Sequence, residues 1–206
     1  AYLLEHYQQS RTEEGLFIKL VEEVGEVAEV LNGRSGRKEG VQDSNEELAK
    51  ELADIIHYTV AIAAINQAVV KQREQINQNQ EATQEERDNA LNELNQASEQ
   101  AIQNINKGIS NSDVDDAKEK GIDAILDIAP ATIVKQAARE AVANNAQQKI
   151  ADINTNHEAT LEEREAAIQS VNQAVTTAND NILKANTNND VDVVKNNALN
   201  QIQAIT

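Results

Sequence analysis

The stretch NEELAKELADIIHYTVAIAAINQAVVKQREQINQN, residues 45–79, decides the fold of this chain. It contains neither glycine nor proline, so nothing in it interrupts a helix. Its first part is rich in Ile and Ala, and its last part is rich in Asn and Gln. We predict one long helix over 45–79 that is shared by the parts before and after it, with the boundary near Asn66–Val70.

The composition of the whole chain changes across this helix. Asn and Gln number 6 in residues 1–66 and 37 in residues 67–206. All four aromatic residues lie in the first 58 positions: Tyr2, Tyr7, Phe17 and Tyr58. Because the amino-acid composition seldom changes so sharply within one domain, we predict a head at 1–66 followed by a second part of different origin.

The second part repeats itself at an offset of 77 residues. INQNQEATQEER at 76–87 matches INTNHEATLEER at 153–164. Of the 54 positions from residue 76 to 129, 24 are identical in the second copy, but only two alanines match in the 18 positions before them. We therefore predict two repeats, 67–129 and 130–206, the first of which borrows its first helix from the shared segment.

Helix-start signals divide each repeat into three helices. Thr160 followed by Glu163 forms the pattern of a capping box, and Thr83 with Glu86 does the same in the first copy. We expect Asp113 and Asp190 to be the N-caps of the third helices. The fold class is thus all-α: a helical head joined to tandem three-helix bundles.

The bulk composition excludes several classes of protein. A net charge of −17 disfavours nucleic acid as a partner. The absence of cysteine excludes disulfides and thiolate metal sites. No apolar run approaches the ~20 residues of a membrane span, so we expect no membrane insertion. The first residue is alanine rather than methionine, which indicates a trimmed or excised chain.

Two predicted helices carry paired acids beside apolar positions. In LVEEVGEVAEVL, residues 20–31, Glu23 and Glu26 are one helical turn apart, as are Glu51 and Asp54 in the long helix. A turn-rich segment between the helices would let them fold back and bring four carboxylates together. Such a cluster needs a cation to offset its repulsion, and oxygen ligands favour Mg²⁺ or Mn²⁺. The alternative is an acidic helix face that holds no ligand.

These acids carry a family resemblance. KLVEEVGEVAEVLNG followed by ELAKELADIIHY resembles the MazG-like all-α nucleoside triphosphate pyrophosphohydrolases, whose signature is EExxE and then ExxD. The resemblance covers residues 1–66. It implies that Mg²⁺, held by the metal ligands Glu23, Glu26, Glu51 and Asp54, bridges a nucleoside triphosphate while water attacks the α–β linkage and pyrophosphate leaves. It also implies that the head forms a homodimer or a higher homo-oligomer.

Two further residues of the head are candidates for the reaction. By the same resemblance, the catalytic candidate Glu22 orients a metal ligand or the attacking water. Lys19 lies one turn before Glu23 and is a candidate contact for a substrate phosphate, with a surface ion pair as the alternative. The family continues after ExxD with a substrate-binding helix, whereas this chain continues with VVKQREQINQNQ. That departure leaves open whether the head is an active enzyme.

Other polar residues are assigned structural roles. His57 follows Asp54 by three positions and is expected to be a partly exposed histidine rather than a ligand. Arg34, Arg37 and Lys38 form a small basic loop that either steers a nucleotide or is simply solvated. DVDD at 113–116 lacks the glycine and the terminal Glu of a calcium loop, and we interpret it as the start of a helix.

The repeats resemble the Ala/Asn/Gln-rich helical repeats of wall-anchored surface proteins of Gram-positive bacteria. The pattern EATxEERxxA carries this resemblance over about 67–206, and it implies a stalk or spacer without catalytic residues. Three hypotheses follow. The chain is an enzyme with an appendage, a surface stalk whose head only oligomerises, or a recombinant fusion of a cytoplasmic head with cell-surface repeats. We favour the third, which is compatible with either of the others.

Overall fold

The computed structural model describes residues 21–40 and 44–206, and every regular element within these ranges is a helix. Helix α1 covers the described residues 21–34. Six helices follow: α2 (Asn45–Gln78), α3 (Gln84–Asn106), α4 (Asn111–Leu126), α5 (Ile133–Thr155), α6 (Leu161–Lys184) and α7 (Asn188–Gln203). The all-α prediction is confirmed, and α2 has nearly the bounds predicted for the shared helix.

The helices form two compact units that interleave along the chain. One unit contains the described residues up to Glu74 together with Asn92–Ile128, and the other contains Gln75–Leu91 together with Ala129–Thr206. Helices α2 and α3 therefore each contribute to both units. The end of the α2–α3 hairpin, Gln75–Leu91, is part of the same compact unit as the second repeat, although its sequence comes from the first repeat.

In the first unit, α2, α3 and α4 each bury one apolar face. Ile65, Leu94, Ile105 and Ile125 are fully buried. Gly121 on α4 allows a close approach, because a Cβ added there would lie 2.6 Å from Ala101 Cβ and 2.9 Å from Ile65 Cδ1. The spacing of the apolar residues thus produces one core among three helices.

In the second unit, α5, α6 and α7 pack against one another. Their core combines small alanines with a few β-branched residues, among them Val142, Val171, Ile182, Val191 and Ile202. The small alanines allow the helix backbones to approach closely, as expected for the slim bundle that the sequence predicts.

The helix starts confirm part of the capping prediction and correct the rest. Thr160 accepts a hydrogen bond from Glu163 N and Glu163 accepts one from Thr160 N, which makes the predicted capping box. Thr83 and Glu86 are paired in the same way. The prediction that Asp113 and Asp190 are N-caps is wrong. The N-caps are Ser110 and Thr187, and each Asp is the acidic third residue of the box.

This correction has a simple physical reason. Ser, Thr, Asn and Asp are all good N-caps, so all four residues of each of the sequences SNSD and TNND are candidates. When the hydroxyl residue takes the cap, the Asp three positions later can accept from the cap N–H, so two donors are satisfied rather than one. The helix therefore begins earlier than the Asp.

In the second unit, the acids of the α2–α3 hairpin also cap other helices. Glu86 Oε1 accepts from Ile133 N at 2.9 Å and from Val134 N at 3.1 Å, where Thr132, the N-cap of α5, makes no side-chain cap hydrogen bond. Glu85 Oε2 accepts from Asn188 N at the start of α7. Both acids thus have structural roles, and for Glu86 this agrees with the capping box that the sequence predicts.

Helix α2 contains an 18-residue window that is long and apolar enough to cross a membrane by length and composition alone. One such helix is weak support for a membrane span, because the core helix of a soluble protein passes the same test. Only 28% of the window is buried, so a large part of its apolar surface is exposed.

Candidate metal centre

Helices α1 and α2 bring three of the predicted acids together. One carboxylate oxygen from each of Glu23, Glu26 and Glu51 lies within 4.8 Å of the other two. Glu23 and Glu26 share a face of α1 because they are one turn apart, and Glu51 meets them from α2. We call these three residues the acidic triad.

Glu51 is the buried member of the acidic triad, with 4% of its surface exposed. Its Oε1 accepts a hydrogen bond from Lys50 Nζ at 2.7 Å. Its Oε2 is buried and has no hydrogen-bond partner when Glu26 is ionised. A buried carboxylate oxygen without a donor is costly, and a hard cation bound by the triad would satisfy it. The donor set, three carboxylates, fits Mg²⁺ or Mn²⁺.

The pKa values of the triad reflect its crowding. A hydrogen bond that protonated Glu26 donates to Glu51 raises the pKa of Glu26 to about 7, and desolvation and the negative charges of Glu51, Glu23 and Glu22 add to this rise. Hydrogen bonds from Lys50 and then from Glu26 lower the pKa of Glu51. Below about pH 7 one proton is therefore held on Glu26 while Glu51 is ionised.

Asp54, the fourth predicted ligand, is not a member of the triad. Its Oδ1 accepts a hydrogen bond from Asn111 Nδ2 at 2.8 Å. Its Oδ2 lies 3.8 Å from Lys50 Nζ. Both oxygens thus have partners outside the triad, and one of those partners belongs to the first repeat.

One member of the triad, Glu23, lines a cavity of about 490 Å³. The head lines it with Glu23, Lys50, Asp54 and Tyr58, and the turn between α3 and α4 lines it with residues 108–111. This wall comes from a region where the sequence predicts only a spacer. The cavity carries carboxylates, one ammonium group and backbone and hydroxyl donors.

The other candidate residues of the head lie around this centre or outside the described chain. Glu22 is exposed on α1, and its charge acts on Glu26. Lys19 falls in residues 1–20, outside the described residues. His57 is half-buried, with Nε2 3.3 Å from Asp115 Oδ1.

The basic loop after α1 is engaged locally. Lys38 Nζ pairs with Glu29 Oε1 at 2.5 Å. Arg34 donates to the carbonyl of Ser44 at 2.8 Å. Gly36 and Gly40, which have positive φ angles, allow the chain to turn here. These contacts favour the solvated-loop interpretation for Arg34 and Lys38.

Two functional candidates, Lys50 and Asn111, lie outside the set of site residues that the sequence predicts. Lys50 directly precedes Glu51 and lies one turn before Asp54, so helical spacing gave a signal that a cation would meet both acids. Asn111 is 57 positions from Asp54 in the chain, and no local pattern indicates that the two side chains meet.

Comparison with protein families divides the chain into two kinds of sequence. The MazG nucleotide pyrophosphohydrolase domain matches residues 11–85. The domain of unknown function DUF1542 matches twice, at 59–133 and at 134–206. The two families overlap over residues 59–85, which include the C-terminal part of α2. No solved structure matches the chain at a significant level.

The curated relatives are very long staphylococcal proteins. The extracellular matrix-binding protein ebh of Staphylococcus aureus strain MRSA252 is 26% identical over 81% of this chain, and EbhA of strain Newman is 26% identical over 82%. The chain spans only 2% and 5% of the lengths of these two relatives. The similarity to surface-protein repeats is therefore established at the level of the repeat.

Proposed function

From the premise that this chain belongs to the DUF1542 family over residues 59–206, we propose a division of labour between its parts. The MazG-like head is a divalent-cation-dependent nucleoside triphosphate pyrophosphohydrolase, and the repeats are non-catalytic spacers. Under this proposal the head converts a nucleoside triphosphate and water into the monophosphate and pyrophosphate.

The acidic triad is the observation that carries this proposal. Three carboxylates from α1 and α2 converge, and Glu51 Oε2 is buried without a donor. An acidic cluster formed only for solubility would face water on all sides, and it would not bury a carboxylate at 4% exposure. The orphaned oxygen supports a site that is completed by a cation.

Each residue of the site has a definable task. A bound divalent cation supplies charge neutralisation for the triphosphate and lowers the pKa of attacking water. Glu23, Glu26 and Glu51 hold it, and Glu26 gives up its proton when the cation binds, because a ligand carboxylate must be ionised. Glu22 lies exposed beside the triad, where we propose that it orients the attacking water.

The exposed apolar face of α2 supports the proposal that the head is a homodimer. Leu52, Ile56 and Val60 are spaced by four residues, and each is more than two-fifths exposed. They therefore form one stripe along the helix. A second copy of the chain would bury this stripe, which a monomer leaves in water.

The repeats support the second half of the proposal. Their described residues form compact Ala-rich bundles, and the acids Glu85 and Glu86 are used for capping. The relatives of this sequence are extracellular matrix-binding proteins. We propose that the repeats serve as a spacer of a cell-surface protein and that a head of cytoplasmic type is joined to them near Asn66–Val70.

A second candidate function follows from the departure after the ExxD motif. The site's second wall is the α3–α4 turn of a repeat, where the MazG-like family has a substrate-binding helix. On this alternative the head binds a cation and oligomerises but does not turn over a nucleotide.

Product analysis by anion-exchange chromatography tests the proposal. The chain is incubated with Mg²⁺ and a panel of ribo- and deoxyribonucleoside triphosphates. We expect equal amounts of monophosphate and pyrophosphate. The double variant Glu23→Gln/Glu51→Gln should abolish both products.

A matched control separates loss of the site from loss of charge. Glu162→Gln/Glu165→Gln removes the same number of charges from exposed positions on α6 and should retain turnover. Absence of products, with Mg²⁺ still raising the melting temperature of the parent but not of the Glu23→Gln/Glu51→Gln variant, would select the binding-only alternative. Absence of both effects would refute the cation site.

A further inference from the structure

We propose that Asn111, which the first repeat supplies, is a positioning residue that holds Asp54 away from the acidic triad. The chain then presents a three-carboxylate cation site instead of a four-carboxylate site. This inference rests on the proposed cation site, and it assigns to the repeat a direct influence on the head.

The contacts of Asp54 lead to this inference. Asn111 Nδ2 donates to Asp54 Oδ1 at 2.8 Å, and Lys50 Nζ lies 3.8 Å from Asp54 Oδ2. Asp54 is three residues after Glu51 on the same face of α2, so the backbone already places it beside the triad. Its side-chain partners, rather than its position on the helix, keep its oxygens out of the group.

Asn111 is held firmly in the α3–α4 turn. It is the first residue of α4, and Ser110 before it is the N-cap of a complete capping box with Asp113. Asp113 Oδ2 accepts from Ile109 N at 3.2 Å and from Ser110 N at 3.0 Å. Gly108 leaves no room for a side chain, because an added Cβ would lie 2.9 Å from Val114 Cγ2. A turn fixed at so many points can hold Asp54 in one orientation.

The second repeat uses the equivalent turn for a similar purpose. Thr187 is the N-cap of α7 and Asn188 is its first residue, at the position that corresponds to Asn111. The backbone N–H of Asn188 donates to Glu85 Oε2 at 3.0 Å. In each unit this turn therefore engages a carboxylate of another helix. In the first unit that carboxylate is Asp54, a predicted metal ligand.

The consequence concerns cation affinity. The affinity of an oxygen-ligand site depends on the number and charge of its carboxylates. Releasing Asp54 would add one ligand and one negative charge to the site. Because linkage is reciprocal, a cation that recruits Asp54 would also weaken the contact between the α3–α4 turn and α2.

Calorimetric titration of the full chain with Mn²⁺ tests this inference. We compare the parent, Asn111→Ala and the matched control Asn188→Ala, none of which differ in charge. We expect Asn111→Ala to tighten the Mn²⁺ dissociation constant by about tenfold, the scale on which groups outside the ligand set change metal affinity. Asn188→Ala should bind as the parent does. An Asn111→Ala affinity equal to that of Asn188→Ala, or weaker than it, would overturn the inference.

The tightening must also depend on Asp54. Asn111→Ala/Asp54→Asn should bind Mn²⁺ no more tightly than Asp54→Asn alone, and a gain in affinity that persists without the Asp54 carboxylate would contradict the mechanism.

If circular dichroism shows that Asn111→Ala is unfolded, Asn111→Ser removes the amide donor and keeps a polar residue at the helix start. Absence of Mn²⁺ binding in the parent and in both Asn111 variants would refute the cation site itself. Binding in the parent that Glu23→Gln/Glu51→Gln abolishes, without an Asn111 effect, would refute only the role of Asn111.

Discussion

The pKa of Glu26 is raised from its ordinary value, 4.5, to about 7. The folded state therefore holds the Glu26 proton more tightly than the unfolded state does. This contribution to stability is complete below pH 4.5, decreases as the pH rises, and is lost above about pH 7. Glu51 has a lowered pKa, so its own contribution is lost only as the pH falls below 4.5.

We expect the free energy of unfolding of the cation-free chain to fall as the pH rises from 4.5 to about 7. Urea unfolding in the presence of a chelator measures it. Glu26→Gln, which cannot titrate, should flatten this dependence. Saturating Mg²⁺ should also remove it in the parent, because a bound cation replaces the proton. An equal slope in the parent and in Glu26→Gln would show that another group is responsible.

At the scale of the helices, the two repeats fill equivalent core positions with different residues. Gly121 on α4 packs against Ala101 and Ile65. The corresponding residues of the second repeat are Ala198, Ala178 and Val142, all of which are buried. The first repeat thus combines the larger Ile with Gly, and the second combines the smaller Val with Ala.

Gly121→Ala should destabilise the chain, because its Cβ would meet two atoms at less than 3.0 Å. Overpacking of this kind costs about 1–3 kcal/mol, and the better helix propensity of Ala offsets up to about 1 kcal/mol of it. Chemical unfolding should show a net loss, and Ile65→Val added to Gly121→Ala should recover part of it. Equal stabilities of Gly121→Ala and Gly121→Ala/Ile65→Val would contradict the proposed compensation.

The elements that could be predicted from the sequence are those with local causes. The uninterrupted α2 and the Thr160–Glu163 capping box depend on neighbours within a few positions. The start of α4 differs from the predicted one because Ser110 and Asp113 both have the chemistry of an N-cap. The contact between Asp54 and Asn111 joins two sequence families across 57 positions, and only tertiary packing brings them together.

For the whole molecule, the exposed stripe on α2 predicts self-association. Ile56 is 63% exposed and Val60 is 58% exposed. Burying apolar area of this kind stabilises an interface by roughly 25 cal/mol per Å² before the costs of association. Light scattering coupled to size-exclusion chromatography should therefore give twice the 22.5 kDa of one chain.

Ile56→Glu/Val60→Glu should reduce this mass to that of one chain, because an interface that buries two new carboxylates from each chain loses more free energy than it gains. Leu161→Glu/Val193→Glu makes the same change in charge at exposed positions of the second repeat, and it should remain dimeric. A parent that is monomeric at every concentration would contradict the homodimer. If that monomer floated with lipid vesicles in a density gradient and the Ile56→Glu/Val60→Glu variant did not, the apolar face of α2 would instead be a membrane-binding surface.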